Sequence, residues 1–146
     1  MSQVDQFLAR RYAPRDLNEY KQRWLDSFNK NKITLLALCD KKIVASATLM
    51  LSDPRSRSAH IASFGIAVHP AFQKKGIGKI LITVLEEIAR DKGITKIEVN
   101  YYQGNAAAAL YRSLNYCYEG RRVKKGRLDN DTYADEILLY KFINVP

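Results

Sequence analysis

Gln73, Lys74, Lys75, Gly76, Gly78 and Lys79 gather amide and ammonium donors around two glycines, a set suited to holding an anion. Gly76 and Gly78 lack a Cβ, which lets the backbone turn tightly and approach a ligand closely. Proton chemistry is available elsewhere in the chain. Tyr111 offers a phenol that can give up a proton, and Glu98 and His60 can accept one. The elements around these residues must bring them together. From His60 to Val68 the apolar Ala62, Phe64, Ile66 and Val68 share one parity, and Pro70 ends the run, as expected of a strand. From Gly78 onward Ile80, Leu81, Val84, Leu85 and Ile88 recur at helical spacing, with Glu86, Glu87 and Arg90 on the other side and Gly93 placed as a stop. The glycines therefore fall where strand becomes helix. The first turn of a helix has N–H groups without intrahelical partners, and its dipole places about half a positive charge there. A phosphate or pyrophosphate can bind such a turn through backbone alone.

The spacing excludes two familiar phosphate loops. A Walker loop needs four residues between its glycines and a hydroxyl residue after its lysine; here only Ile77 separates Gly76 from Gly78, and Ile80 follows Lys79. A dinucleotide fingerprint needs a third glycine where Leu81 stands. The pattern V-x-P-x-x-Q-x-x-G-x-G does fit, through Val68, Pro70, Gln73, Gly76 and Gly78. This resembles the acetyl-CoA motif of the GNAT superfamily of N-acetyltransferases.

A second element agrees with the first. Ile97, Val99 and Tyr101 alternate as in a strand with one buried face, and Asn105 to Tyr116 reads as a helix with its stop. Asn105 is a good N-cap, Ala107, Leu110, Tyr111 and Leu114 form an apolar stripe, and Asn115 can take the left-handed stop. Asn105, Ala106, Ala108, Leu110 and Tyr111 are similar to the family's asparagine and alanines leading to Leu-Tyr. Asn115 and Tyr116 replace its usual Gly-Phe stop.

The resemblance implies acetyl-CoA as co-substrate and no metal. It implies donor binding by Ile66, Ala67, Val68, Gln73, Lys74, Lys75, Gly76, Ile77, Gly78, Lys79 and Asn105. Backbone groups of Ile66 and Val68 would meet the pantetheine arm and thioester carbonyl, and a fixed donor on a developing oxyanion contributes ~3 kcal/mol. Tyr111 would be the general acid that protonates the departing sulfur, although a tyrosine on an apolar stripe is also ordinary core. A base is needed as well, since a lysine-like amine with a pKa of ~10.4 costs about 4 to 5 kcal/mol to unmask at pH 7. Relatives often carry a glutamate two residues before the strand glycine, but Ser63 stands there, before Gly65. Glu98, His60 and a water chain remain as alternatives.

Composition sets limits. The 146 residues, 47% of them apolar, are read as a single domain, 1–146. No uncharged stretch approaches the ~20 residues of a membrane span, and no apolar signal segment opens the chain. Cys39 and Cys117 have no ligand spacing and are expected as buried or incidental thiols in a reducing cytoplasm. The two histidines, His60 and His69, complete no metal set. A net charge of +9 fits nucleic acid, an acidic acceptor or a basic CoA-binding surface. Its densest cluster, Arg121, Arg122, Lys124, Lys125 and Arg127, reads as a solvated hairpin, and nucleic acid is disfavoured because no RNA-binding or zinc-finger pattern accompanies it.

The rest completes a fold. Phe7 to Tyr12 is expected as a strand and Pro14 to about Phe28 as a helix. Ile33–Cys39, Ile43–Leu51, Tyr118–Lys124 and Tyr133–Phe142 are expected as strands, the last two joined at LDND. The order of elements is that of the GNAT family, and the resemblance implies the class α/β (α+β): a central mixed, mostly antiparallel sheet of six to seven strands, splayed at the CoA site and flanked by three to four helices. Relatives commonly place two helices between their first two strands as a wall of the acceptor pocket; here only about twenty residues, Pro14 to Lys32, separate those strands, so the acceptor side is expected to be open or completed by a partner subunit in a homodimer. Glu119, Gly120, Arg121, Arg122, Tyr133 and Asp135 resemble the ending of small-molecule and amino-acid acetyltransferases. The expected acceptor is therefore a small-molecule amine. The other readings are a protein terminus or lysine as acceptor, and a non-catalytic CoA-binding module.

Overall fold

The computed structural model describes residues 31–144. The strand expected over Phe7 to Tyr12 and the helix expected to about Phe28 lie outside the described residues. Strands β1 (Lys32–Cys39) and β2 (Lys42–Leu51) form a hairpin. It turns through Asp40 and Lys41, both left-handed with φ of 49° and 64°. Strand β3 (Ile61–Val68) leads through a 3-10 turn, Pro70–Phe72, into helix α1 (Ile77–Asp91). Strand β4 (Lys96–Tyr102), helix α2 (Ala107–Ser113) and the hairpin of β5 (Cys117–Arg127) and β6 (Tyr133–Phe142) follow. The single sheet has the order β1-β2-β3-β4-β6-β5, and every neighbouring pair is antiparallel except β3 with β4. The expected strand and helix order holds throughout these residues, with two α-helices and the 3-10 turn among them.

Register explains which face is apolar. Ala45, Ala47 and Leu49 of β2 stand opposite Val68, Ile66 and Phe64 of β3. With Ile97, Val99 and Leu139 they form one buried face. Helix α1 lays Leu81, Ile82, Leu85 and Ala89 on that face. Burial of a large aliphatic side chain such as Leu49, Ile82, Leu85 or Ile97 stabilises the fold by about 2 kcal/mol each. Helix α1 stops where Gly93 takes φ of 80°, and Asn115 takes φ of 66° after α2, as a left-handed stop requires.

One charged group interrupts this apolar layer. Glu86 of α1 is 3% exposed. It accepts hydrogen bonds from Lys141 Nζ at 3.0 and 2.9 Å and from the Tyr116 hydroxyl at 3.0 Å. Arg90 lies 3.6 Å away. A buried carboxylate survives only when paired and hydrogen-bonded in this way, so Glu86 fastens α1 to β6 and to the segment after α2.

The sheet is not continuous along its whole length. The parallel ladder consists of Ile61 with Lys96, Ala62 with Ile97 and Ser63 with Glu98. Beyond that, β3 runs on to Val68 paired with β2 alone, and β4 runs on to Tyr102 paired with β6 alone. The sheet therefore splays at the C-terminal ends of β3 and β4.

Candidate functional site

The cradle begins where β3 ends. The His69 Nδ1 accepts the Ala71 N–H at 3.1 Å and caps the 3-10 turn. Gln73 follows, and its Nε2 donates back to the Val68 carbonyl at 3.2 Å. This side chain closes the loop onto the strand end, a use that sequence spacing does not reveal. Lys74 and Gly76 are left-handed, with φ of 60° and 83°, and α1 starts immediately after. No side chain caps α1, and its first turn contains no acidic residue. From His69 to Lys79 the chain carries Lys74, Lys75 and Lys79 and no acid. Uncapped N–H groups and local positive charge together are what an anion site requires.

The two glycines do different work. A Cβ on Gly76 would meet nothing within 4 Å, but the left-handed backbone there is one that side chains disfavour. At Gly78 the backbone is ordinary and the space is filled. A Cβ there would lie 3.0 Å from Leu110 Cδ2, 3.5 Å from Ile66 Cδ1 and 3.8 Å from Val68 Cγ2. Gly76 shapes the cradle. Gly78 also lets α2 and β3 close on α1, a packing role beside the expected approach of its backbone to an anion.

The splay exposes a row of backbone groups. N–H and C=O of one strand residue point to the same side, and successive residues alternate. The His69 N–H donates to Val44 on the β2 side at 2.8 Å, whereas the His60 carbonyl accepts from Thr95 at 3.0 Å and Lys96 at 3.3 Å on the β4 side. By alternation the backbone of Ile66 and Val68 faces the gap, as the Gln73 contact to the Val68 carbonyl confirms. Ala67 has the opposite parity and directs its backbone toward Ser46 of β2.

Tyr111 bridges the mouth of this gap. Its ring packs against Phe64 of β3 at 5.8 Å and Tyr101 of β4 at 6.0 Å, and against Tyr116 at 6.1 Å. The residue is 5% exposed, and its hydroxyl has no partner among the described residues. Burial pushes its pKa up to about 12, so the phenol keeps its proton at physiological pH. Asn105 begins the approach to α2: its Oδ1 accepts the Ala107 N–H at 2.9 Å, which leaves its amide nitrogen available. The helix itself starts at Ala107, with Ala106 in the cap position.

The base alternatives separate in space. Glu98 faces Ser63 on the last rung of the parallel ladder, at the entrance to the gap. Lys96 Nζ lies 2.7 Å from Glu98 and 2.9 Å from Glu119, and these contacts hold the Lys96 pKa above its usual value, Glu98 contributing most. His60 precedes β3 at the closed end of the ladder and serves through its carbonyl. The arginines of the basic hairpin are paired within it. Arg121 pairs with Asp135 at 3.5 Å, Arg122 with Glu136 at 3.4 Å and Arg127 with Asp131. Asp135 also accepts the Lys124 N–H at 2.7 Å, so it builds the hairpin. Both Cys39 and Cys117 are free and exposed, which removes the buried alternative. No helix among the described residues is long and apolar enough to cross a membrane.

Comparison with known proteins matches residues 2–116 to the Acetyltransferase (GNAT) family. The sequence is 29% identical to the L-amino acid N-acetyltransferase AaaT of Escherichia coli over 69% of this chain and 62% of that protein. It is 39% identical to the ribosomal protein bS18-alanine N-acetyltransferase of Salmonella typhimurium over 36% of each chain. This chain thus matches less than two thirds of the length of these relatives. Among solved structures, smu.2055 from Streptococcus mutans superposes with a TM-score of 0.77 at 26% identity, covering 85% of this chain and 78% of the other. Ribosomal-protein-alanine N-acetyltransferase from Brucella melitensis shares the fold, with a TM-score of 0.80 at 24% identity over 95% of this chain and 86% of the other.

Proposed function

Because the chain belongs to the acetyltransferase (GNAT) family, we propose that it transfers acetyl from acetyl-CoA directly to a primary amine, that of a small molecule or amino acid, in a ternary complex. The observation that carries this reading is the position of Tyr111, a protonated phenol with no hydrogen-bond partner among the described residues, set between the two strands where they part. The residues present fit the donor. The first turn of α1 with Lys74, Lys75 and Lys79 would hold its pyrophosphate. The gap-facing backbone of Ile66 and Val68 would hold the pantetheine arm, with Asn105 nearby. Ala67 contributes only as the link between them.

The bound donor supplies an activated acyl carbon, on which a C–N bond forms as the C–S bond breaks. A backbone N–H on the gap side of β3 steadies the charge that develops on the carbonyl oxygen. Glu98 takes the proton lost by the amine, and Tyr111 gives its own proton to the departing sulfur. Placement favours Glu98 over His60, which lies at the other end of the ladder.

The likeness to AaaT supports an amino acid as acceptor. A second reading, the N-terminal amine of a protein, draws on the likeness to the bS18-alanine enzyme. Both would present an α-amine. A peptide α-amine with a pKa of about 8 costs only about 1 kcal/mol to deprotonate at pH 7, against about 4 to 5 kcal/mol for a lysine, so a protein terminus asks less of the base than a lysine does. The two free thiols and the use of acetyl-CoA fit action in the cytoplasm. The test is thiol release from acetyl-CoA across free amino acids, alanine-terminated peptides and lysine-containing peptides. Tight acetyl-CoA binding without turnover of any amine would leave only a binding module.

A further inference from the structure

Tyr116 stands where the family resemblance leads to phenylalanine, and the additional hydroxyl is engaged. It donates to Glu86 Oε1 at 3.0 Å, on a carboxylate also held by Lys141. The Tyr116 ring meets Tyr111 edge-on, with centroids 6.1 Å apart and planes at 63°, and meets Phe64 at 5.8 Å and 77°. Tyr111 has no hydrogen bond of its own through its hydroxyl among the described residues. Its direction is therefore set by its ring neighbours Phe64, Tyr101 and Tyr116. Phe64 has no polar group, and the Tyr101 hydroxyl has no hydrogen-bond partner among the described residues. Of the three, Tyr116 alone is tied by a hydrogen bond to a buried, charge-paired side chain.

We propose that Tyr116 is a positioning residue, whose hydroxyl, fixed on Glu86, orients the Tyr111 ring across the gap between β3 and β4 and so aims the proton of Tyr111. The claim rests on the acetyl-transfer reading only for its kinetic consequence. Burial first, and then the charge of Glu86, raise the Tyr116 pKa far above that of an ordinary phenol, so its hydroxyl remains a donor to Glu86 at every pH at which the protein would work. Misalignment of a reacting group by a fraction of an ångström to an ångström lowers rates steeply, and a hydrogen bond anchored in the core prevents that drift.

The test compares wild type, Tyr116→Phe and Lys141→Met by steady-state kinetics and by NMR of tyrosine labelled with carbon-13 at Cζ. Tyr116→Phe keeps the ring and removes the anchor. It is expected to lower kcat about tenfold with the KM for acetyl-CoA unchanged, and to shift or broaden the Tyr111 resonance. Lys141→Met keeps the hydroxyl of Tyr116 and its acceptor Glu86, removes the ammonium 5.5 Å over the Tyr116 ring, and is expected to lower Tm while moving the Tyr111 resonance much less. Unchanged kcat and an unchanged Tyr111 resonance in Tyr116→Phe overturn the proposal, as does an equal shift in Lys141→Met. If wild type acetylates no amine, the transfer reading fails, and the resonance comparison still decides the positioning role.

Discussion

Ser63 and Glu98 face each other on the last rung of the parallel ladder, immediately before β3 and β4 separate. Paired residues project to the same face of a sheet, so Glu98 sets a carboxylate beside Ser63. Glu98→Gln is expected to lower kcat/KM about a hundredfold, and His60→Gln to change it less than twofold. The measurement is the rate with the best amine of the panel, at several pH values. Equal losses in the two variants would remove Glu98 from the role of base.

Tyr111→Phe retains the ring contacts and removes only the proton donor. A fall in kcat of about tenfold to a hundredfold, with acetyl-CoA affinity unchanged, is expected from loss of a general acid. Calorimetric titration alongside the kinetics separates the two quantities. Retention of the full rate would make Tyr111 a core residue and nothing more.

The same phenol gives the fold an alkaline limit. Burial raises its pKa from 10.0 to about 12, so the folded chain holds this proton more tightly than the unfolded chain does. Its contribution is complete below pH 10 and is lost as pH rises from about 10 to about 12, an effect of ~3 kcal/mol. Tyr116 shifts in the same direction and adds to the loss. Urea denaturation at stepped pH should show this decline, shallower in Tyr111→Phe than in wild type. Curves that decline in parallel would refute the assignment.

Gly76 and Gly78 should respond differently to alanine. Gly76→Ala forces a side chain into a left-handed turn at ~1 kcal/mol and places a methyl group in the open space of the cradle. Acetyl-CoA affinity should drop about tenfold while Tm changes little. Gly78→Ala presses on the end of Leu110, so it should lower Tm while affinity is largely retained, and Leu110→Val should restore part of the loss. Identical behaviour of the two variants would show that the glycines share one role.

Removing the carboxylate at Glu86 strands a lysine and a tyrosine hydroxyl that now pair with it in the core. Glu86→Ala should cost about 3 kcal/mol or more, read from denaturant midpoints, and Glu86→Gln distinctly less because an acceptor remains. A cost below 1 kcal/mol for Glu86→Ala would mean that water replaces the carboxylate.

The local parts of this fold are readable from residue order. Alternation from Ala62 to Val68, helical spacing from Ile80 to Ile88, and stops at Gly93 and Asn115 all depend on neighbours a few positions away, and the structure has each of them. Relationships across the sheet are not written in that form. The short ladder between β3 and β4, the meeting of Gly78 with Leu110 and the facing of Ser63 by Glu98 join positions far apart in the chain. Gln73 resembles a ligand donor by type and spacing, yet it turns back to Val68. The arginines of the last hairpin look like a free basic patch until register brings Asp135 and Glu136 against Arg121 and Arg122.

Three shared rungs also make the sheet two panels hinged at the end marked by Ile61 and Lys96. One panel is β1, β2 and β3; the other is β4, β6 and β5. At the open end they are kept in position by Leu110 resting at Gly78, and, within the core, by Lys141 and Tyr116 reaching Glu86. A ligand arm lodged along Ile66 and Val68 would act as a wedge that sets the angle between the panels. Amide exchange at those two residues should therefore slow sharply on loading, while exchange at Ile61 and Ala62, already clamped beside the hinge, should barely change.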